Sequence, residues 1–207
     1  MKIVAFSDAH WHYPEVKLPD GDILVYAGDW CSGNDKQDTI GFAEYLKKQK
    51  HPYKIVVPGN HDRIAQRRPS FVKKTFANAG VIYLKDDYAT VEGISFFGFP
   101  WVLKFGNWAF MCAEDGIKTR LFKLKKGTDV LITHGPPLGI LDRVPEVGCV
   151  GSLRLASSVL QKRPKIHIFG HIHSGHGHEI SDYTHYYNVS VCNDEYELVY
   201  QPTIIEV

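Results

Sequence analysis

Short apolar runs recur along this chain, and each breaks off abruptly into a polar cluster. Ile3-Val4-Ala5-Phe6, Ile23-Leu24-Val25-Tyr26-Ala27, Ile55-Val56-Val57, Val130-Leu131-Ile132 and Ile166-His167-Ile168-Phe169 are almost continuously apolar, the pattern of strands buried on both faces. Extending this reading predicts strands at about 2–8, 22–28, 53–58, 81–85, 89–99, 128–133, 165–170, 183–192 and 197–206. Helices are predicted at about 36–50, 70–79, 114–123 and 151–162. In the first, Ile40, Ala43, Leu46 and Lys47 follow helical spacing behind the capping candidates Asn34 and Asp35, and Gly80 suits a helix stop after the second. Strands alternate with helices early and cluster later, so the expected fold is α/β: a mixed sandwich of two sheets flanked by helices, not a purely parallel doubly wound sheet. Segment 100–113 is aromatic-rich without clean periodicity and reads as a covering loop or cap. Segment 135–150, with Pro136, Pro137, Gly139, Pro145 and Gly148, reads as an ordered loop without regular structure.

The polar clusters that end the apolar runs carry the chemistry. They are Asp8-Ala9-His10, Gly28-Asp29, Gly59-Asn60-His61-Asp62, His134-Gly135 and Gly170-His171-Ile172-His173. In an α/β fold such positions meet in the crevice beyond the carboxyl ends of the strands. Alternate side chains of extended chain point the same way, so Asp8 with His10, and His171 with His173, are each expected to present two ligands to one side. A carboxylate bridges two ions roughly 3.5–4 Å apart, and Asp29, behind a glycine that permits a tight turn, is the bridging candidate. Imidazole, carboxylate and amide oxygen form a borderline set that suits Mn, Fe, Zn, Co or Ni better than calcium. Two Asp, four His and Asn60 leave two divalent ions with a surplus of two positive charges, which a hydroxide and a phosphodiester would neutralise. That count favours diesters over monoesters. His12, His51, His167, His176, His178 and His185 lack this placement and read as structural or surface residues, with His176 and His178 as candidates for the surrounding shell.

Composition narrows the class. The 207 residues suffice for one domain over 1–207, and 44% hydrophobic with 23% charged content excludes disordered and coiled-coil classes. No apolar stretch approaches the roughly 20 residues of a membrane span, and the amino terminus turns polar at Ser7-Asp8, so a cytoplasmic location without membrane contact is expected. Net charge of +1 offers no footprint for a nucleic-acid backbone. The four cysteines, Cys31, Cys112, Cys149 and Cys192, form no C-x-x-C pair.

Taken in order, the five clusters resemble the calcineurin-like metallophosphoesterase superfamily, whose pattern runs D-x-H, G-D, G-N-H-[DE], H-G and G-H-x-H. Leu131–Gly139, Arg163–His173 and Asn188–Cys192 with Gln201-Pro202 are similar to its metallophosphoesterase-domain-containing subgroup, whose members resemble class III cyclic-nucleotide phosphodiesterases. The resemblance implies a four-layer α/β/β/α sandwich and a dinuclear site usually assayed with manganese. By motif position Asp8, His10, Asp29 and His173 would hold one ion, Asp29, Asn60, His134 and His171 the other, and His61 would be the general acid. The expected activity is hydrolysis of small phosphodiesters, cyclic nucleotides among them, by in-line attack of a hydroxide shared between two divalent transition-metal ions. His61 would protonate the leaving alkoxide and Arg63, just beyond Asp62, would contact phosphate. Trp11, Trp30 and Trp101 are candidates to stack on a base, although a core or rim place is the commoner use of each. The alternatives are a scaffold or binding protein on the same fold, a phosphomonoesterase, or a nuclease. Related protein phosphatases read G-D-x-x-D, where this chain reads Gly28-Asp29-Trp30-Cys31-Ser32, so the group that orients His61 is not given by the motif.

Overall fold

A computed structural model describes residues 1–31, 36–181 and 183–207. Strands β1 (Lys2–Phe6), β2 (Ile23–Tyr26), β3 (Tyr53–Val56) and β4 (Ile82–Tyr83) come first, followed by β5 (Asp87–Val91) and β6 (Ile94–Phe99). Then come the two-residue strands β7 (Val102–Leu103) and β8 (Met111–Cys112), β9 (Val130–Thr133), and another short pair, β10 (Arg143–Val144) and β11 (Gly148–Cys149). The last four are β12 (Ile166–Phe169), β13 (Gly177–Ile180), β14 (His185–Asn188) and β15 (Thr203–Glu206). Helices are α1 (Lys36–Lys47), α2 (Arg63–Arg67), α3 (Pro69–Asn78), α4 (Glu114–Leu121) and α5 (Leu153–Lys162), with 3-10 turns at His10–Glu15 and His173–Gly175. Asn34 and Asp35, the capping candidates for α1, lie outside the described residues.

One sheet runs β15-β1-β2-β3-β4 and the other β13-β14-β12-β9-β6-β5. Neighbours β1, β2, β3 and β4 are parallel, as are β6, β9, β12 and β14, while β15, β13 and β5 join antiparallel at the edges. Side-chain alternation explains the continuous apolar runs. In β1, Ile3 and Ala5 enter the core between the sheets with Ile55, Val130 and Ile168, whereas Val4 and Phe6 enter a second core against Phe42, Leu46, Val72 and Phe76 of α1 and α3. On the far sheet, Phe97, Leu131 and Phe169 pack against Ile117, Leu121, Leu155 and Val159 of α4 and α5. The result is the α/β/β/α sandwich.

Several elements differ from the sequence reading. Residues 89–99 are a hairpin, not one strand: β5 and β6 turn at Glu92-Gly93, both with positive φ, as a two-residue hairpin loop requires. The chain after Asp62 forms the short helix α2, and β13 precedes β14, both unforeseen. Only Thr203–Glu206 of the expected last strand is strand, and segment 135–150 contains the β10–β11 ladder. Gly80, at φ +71, does follow the end of α3.

The two sheets touch where β1 ends. Ser7 bridges to Ser190, with Ser7 N–H donating to Val189 O at 3.0 Å and Val191 N–H to Ser7 O at 3.1 Å. This junction brings the parallel ends of both sheets to one crevice.

Candidate metal centre

Asp8 follows β1, Asp29 follows β2, Asn60 and His61 follow β3, His134 follows β9, and His171 and His173 follow β12. Their ligand atoms fall into three overlapping groups, each within 4.8 Å: Asp8, His10 and His173; His10, Asp29 and His61; Asp29, His134 and His171. Asp29 belongs to two of the groups, the place expected of a bridging carboxylate. Asn60 joins the third, its Oδ1 standing 2.8 Å from His134 Nε2, which is also 3.2 Å from Asp29 Oδ2.

The local backbone departs from the extended chain expected at these positions. Asp8, His10, Asp29 and His171 all have positive φ, of 54°, 46°, 65° and 70°. Residues other than glycine rarely adopt this region, and each such position costs about 1–3 kcal/mol that the surrounding contacts must hold in place. The turns let His171 and His173 serve different groups although only Ile172 separates them. The contacts that hold them are dense. Tyr26 hydroxyl accepts Ala9 N–H at 3.1 Å and donates to Asp29 O at 2.8 Å, and Asp8 N–H and His10 N–H donate to Gly28 O and Asp29 O, both at 3.0 Å. Any Cβ at Gly59 would collide with Asp29 Oδ1, and one at Gly170 with Asp8 Oδ2, so glycine is required by close approach at both.

Hydrogen bonding ties one side of several ligands and leaves other donor atoms facing the centre. Asp8 Oδ2 accepts from Ser7 Oγ, from Ser190 Oγ at 2.7 Å and from His171 N–H at 2.9 Å, while Asp8 Oδ1 is buried without a partner. His134 Nδ1–H donates to Ala27 O at 2.9 Å and His173 Nδ1–H to Asn193 O at 2.8 Å, which turns each Nε2 toward the carboxylates. Both ring nitrogens of His10 are buried and unpartnered. Orphaned buried polar atoms are costly unless a missing partner completes them, and these converge on one centre. Carboxylate, imidazole and amide-oxygen donors gathered around the open atoms of Asp8 and His10 fit divalent transition metals.

Electrostatics agree with that fit. Burial pushes the His10 imidazole down to about 4 and that of His171 to about 3, so both are neutral and able to ligate near pH 7. Burial opposes charge on His134 and His173 too, but Asp29 for the first and Asp8 for the second raise each to about 9. Burial would raise Asp8 and Asp29, yet the histidines outweigh it and hold both carboxyls below the usual range. Two protons thus stand among the carboxylates where cations would sit.

Asp62 is an organising residue that sequence reasoning quoted within its cluster but gave no role. Fully buried, it accepts four backbone N–H groups: Gly59 at 2.7 Å and Asp29 at 2.9 Å on one oxygen, Trp30 and Cys31 at 3.0 Å on the other. Burial and then Asp29 push its carboxyl upward, against the pull of those N–H groups. All four partners are donors, so a carboxyl proton would have no acceptor, and the ionised form is the one this pocket holds. Ser7, Ser190 and Tyr196 were missed as well. Tyr196 sets its ring edge-on to His10 at 4.8 Å and to His173 at 5.4 Å.

His61 donates its backbone N–H to Asp29 Oδ1 at 2.8 Å, and its Nε2 lies 4.0 Å from Asp29 Oδ2. Its ring stacks on Trp108 at 4.3 Å and its Nδ1 has no hydrogen-bond partner, so the contact holding this ring is aromatic. Arg63, expected to contact phosphate, instead sets its guanidinium 4.5 Å from the Trp108 ring and donates to Asn107 O at 2.9 Å. It does not line the cavity beside the centre. Trp30 is fully buried, with Nε1 donating to Thr39 Oγ1 at 3.1 Å, so it cannot reach a substrate. Trp11 is half exposed and stacks at 6.0 Å on Tyr196, while Trp101 does line the cavity. His176 approaches the site only through Ser190, whose carbonyl its Nδ1 meets at 2.8 Å, and His178 stacks on Tyr187.

Among the described residues no helix is long and apolar enough to cross a membrane. The chain is 34% identical to human metallophosphoesterase domain-containing protein 1, over all of this chain and 71% of that protein. It is 30% identical to UPF0046 protein K07C11.7 of Caenorhabditis elegans, over all of this chain and 75% of that one. The fold is similar to that of the protein TT1561 of Thermus thermophilus, with a TM-score of 0.68 and 14% identity over 90% of this chain and 88% of the other. Residues 1–175 match the calcineurin-like phosphoesterase family, a stretch that contains every ligand candidate from Asp8 to His173. With that match, on two sheets whose strand ends deliver the donors, the chain belongs to the calcineurin-like phosphoesterase family.

Proposed function

We propose that the protein is a phosphodiesterase that cleaves small diesters at two divalent transition-metal ions, manganese being the first to test and Fe, Zn, Ni or Co the alternatives. Asp8, His10, Asp29 and His173 would hold one ion, and Asp29, Asn60, His134 and His171 the other. The observation that carries this reading is the set of buried, unpartnered donor atoms facing one another: Asp8 Oδ1 and both nitrogens of His10, with Asp29 shared between neighbouring groups. When bound, such ions supply an activated water near neutral pH and draw charge from the phosphoryl oxygens.

The chain's own groups complete the chemistry. His61 stands at the edge of the centre with Nε2 4.0 Å from Asp29 Oδ2, where it is placed to deliver a proton to the departing alkoxide.

Purified protein would be stripped, titrated with Mn²⁺ and assayed with bis-4-nitrophenyl phosphate and 4-nitrophenyl phosphate, followed by 2′,3′-cyclic and 3′,5′-cyclic nucleotides. Two ions per chain and a higher kcat/KM for the diester support the proposal. One ion, or a faster monoester, overturns it.

A further inference from the structure

We propose that the cavity beside the metal centre seats an uncharged, largely apolar ester group, and that the favoured substrates carry such a group in preference to a nucleoside or a second phosphate. This rests on the phosphodiesterase reading above and narrows it. The cavity has a volume of about 540 Å³ and opens onto Asp29, Asn60, His61, His171 and His173 at one end. Trp101, Val102, Leu103, Val150, Leu155 and Ile172 form much of the remainder.

Around Trp101, Val102, Lys104 and Ser152 the polar atoms of that wall are already engaged, while the Trp108 indole N–H and the Tyr196 hydroxyl stand nearer the mouth beside His61 and His10. Trp101 Nε1 donates to both oxygens of Asp86, at 2.9 and 3.0 Å. Ser152 Oγ donates to Glu114 at 2.7 Å and accepts Leu155 N–H at 3.1 Å. The backbone N–H groups of Val102, Lys104 and Ser152 donate to Phe110 O, Cys112 O and Pro136 O at 2.9–3.1 Å. A nucleobase lying against the Trp101, Val102 and Ser152 side of the cavity would bury donors and acceptors against committed partners, which is unfavourable, whereas an aryl or alkyl group there loses nothing and leaves water. Apart from Asp29 at the centre, the charged lining residues are Lys104 and Asp194, exposed and opposite in sign, so among the described residues no cationic patch awaits a second phosphate. Trp101 is fixed before any ligand arrives: Asp86 holds its Nε1 and the Arg120 guanidinium lies 3.9 Å from its ring centre. A rigid flat wall favours a flat apolar occupant.

The test uses three diesters that all release 4-nitrophenolate and differ in the ester group retained: methyl, phenyl and thymidine-5′. With manganese-loaded protein and rates normalised to alkaline hydrolysis, kcat/KM for the phenyl ester should exceed both others at least 10-fold. Leu103→Lys, which puts a charge on the wall, should reduce the phenyl-to-methyl ratio at least fivefold. A thymidyl ester equal to or better than phenyl, or a phenyl-to-methyl ratio near one, overturns the proposal. A second measurement needs no turnover: by calorimetry, phenylphosphonate should bind the manganese-loaded protein at least 10-fold tighter than methylphosphonate. Equal affinities reject the apolar seat. If no diester is cleaved, the phosphodiesterase reading fails, while the phosphonate pair still decides what the cavity takes.

Discussion

Replacing Asp62 with asparagine tests whether one buried carboxylate holds the metal loops together. Its two oxygens each accept two N–H groups, from a segment that carries Asp29 and from the residue before Asn60. Asparagine keeps one oxygen and offers an NH₂ group in place of the other. Whichever way the amide sits, two backbone N–H groups face an N–H donor and lose their acceptor. A hydrogen bond to a charged group contributes about 1.5–3 kcal/mol, so two of them give a destabilisation of about 3–6 kcal/mol. Against a typical total of about 5–15 kcal/mol, that is a large fraction. The site should suffer as well, because Asp29 N–H is one of the four donors. Loss of partners that orient ligands commonly weakens metal affinity by about 10–100-fold.

Urea denaturation of the metal-free wild type and Asp62→Asn, with unchanged m-values, would give the first quantity, and Mn²⁺ titration the second. If Asp62 were protonated at neutral pH, asparagine would mimic it and the variant would lose little. A loss under about 1 kcal/mol together with wild-type metal affinity therefore refutes both the ionised state and the anchoring role.

His61→Gln should lower turnover by roughly 10²- to 10⁴-fold while both ions remain bound, with a smaller loss for nitrophenyl than for alkyl leaving groups. Equal losses, or release of an ion, would remove the acid role. Because His134 and His173 titrate at about 9 in the metal-free protein, each ion should displace about one proton near pH 7.5, read by calorimetry in buffers of different ionisation enthalpy. Apparent affinity should then rise with pH and level off near 9; a flat profile would contradict the assignment. His167, fully buried, is pushed down to about 3, so it is neutral when folded and takes a proton on unfolding below pH 6.5. Its contribution is lost as pH falls, at about 1.4 kcal/mol per unit between 6.5 and 3, and His167→Asn should flatten that acid limb in urea melts.

The parts of the site legible in the sequence are those whose chemistry is carried by residue type at a strand end. Asp8, Asp29, Asn60, His134, His171 and His173 announce themselves because apolar runs stop beside them, and the parallel strands then gather their ends. What the sequence hides is set by contacts between segments far apart. Ser190 reaches Asp8 across 182 positions, and nothing in Val189-Ser190-Val191 marks a hydroxyl with that task. Arg63 follows the ligand cluster immediately, which made phosphate its natural partner on paper, but α2 starts at Arg63 and Trp108 supplies a nearer ring. The alternation rule gave the right grouping of Asp8 with His10 for the wrong reason. An extended strand would have set their side chains to one side by pleat alone, whereas the fold does so with two residues in left-handed backbone, held by Gly28 and Asp29 carbonyls and the Tyr26 hydroxyl. Such strain has only a weak residue signature at Asp or His, which enter this region more often than most residues yet at few of their positions. The glycines that do mark the site are Gly28, at φ +107 in the turn before Asp29, and Gly59 and Gly170, which stand where a ligand's carboxylate presses against the backbone. Close approach and the turn at Gly28 are thus the geometric features of this centre that the sequence writes down, and conformation at the ligands themselves is left to the packing around them.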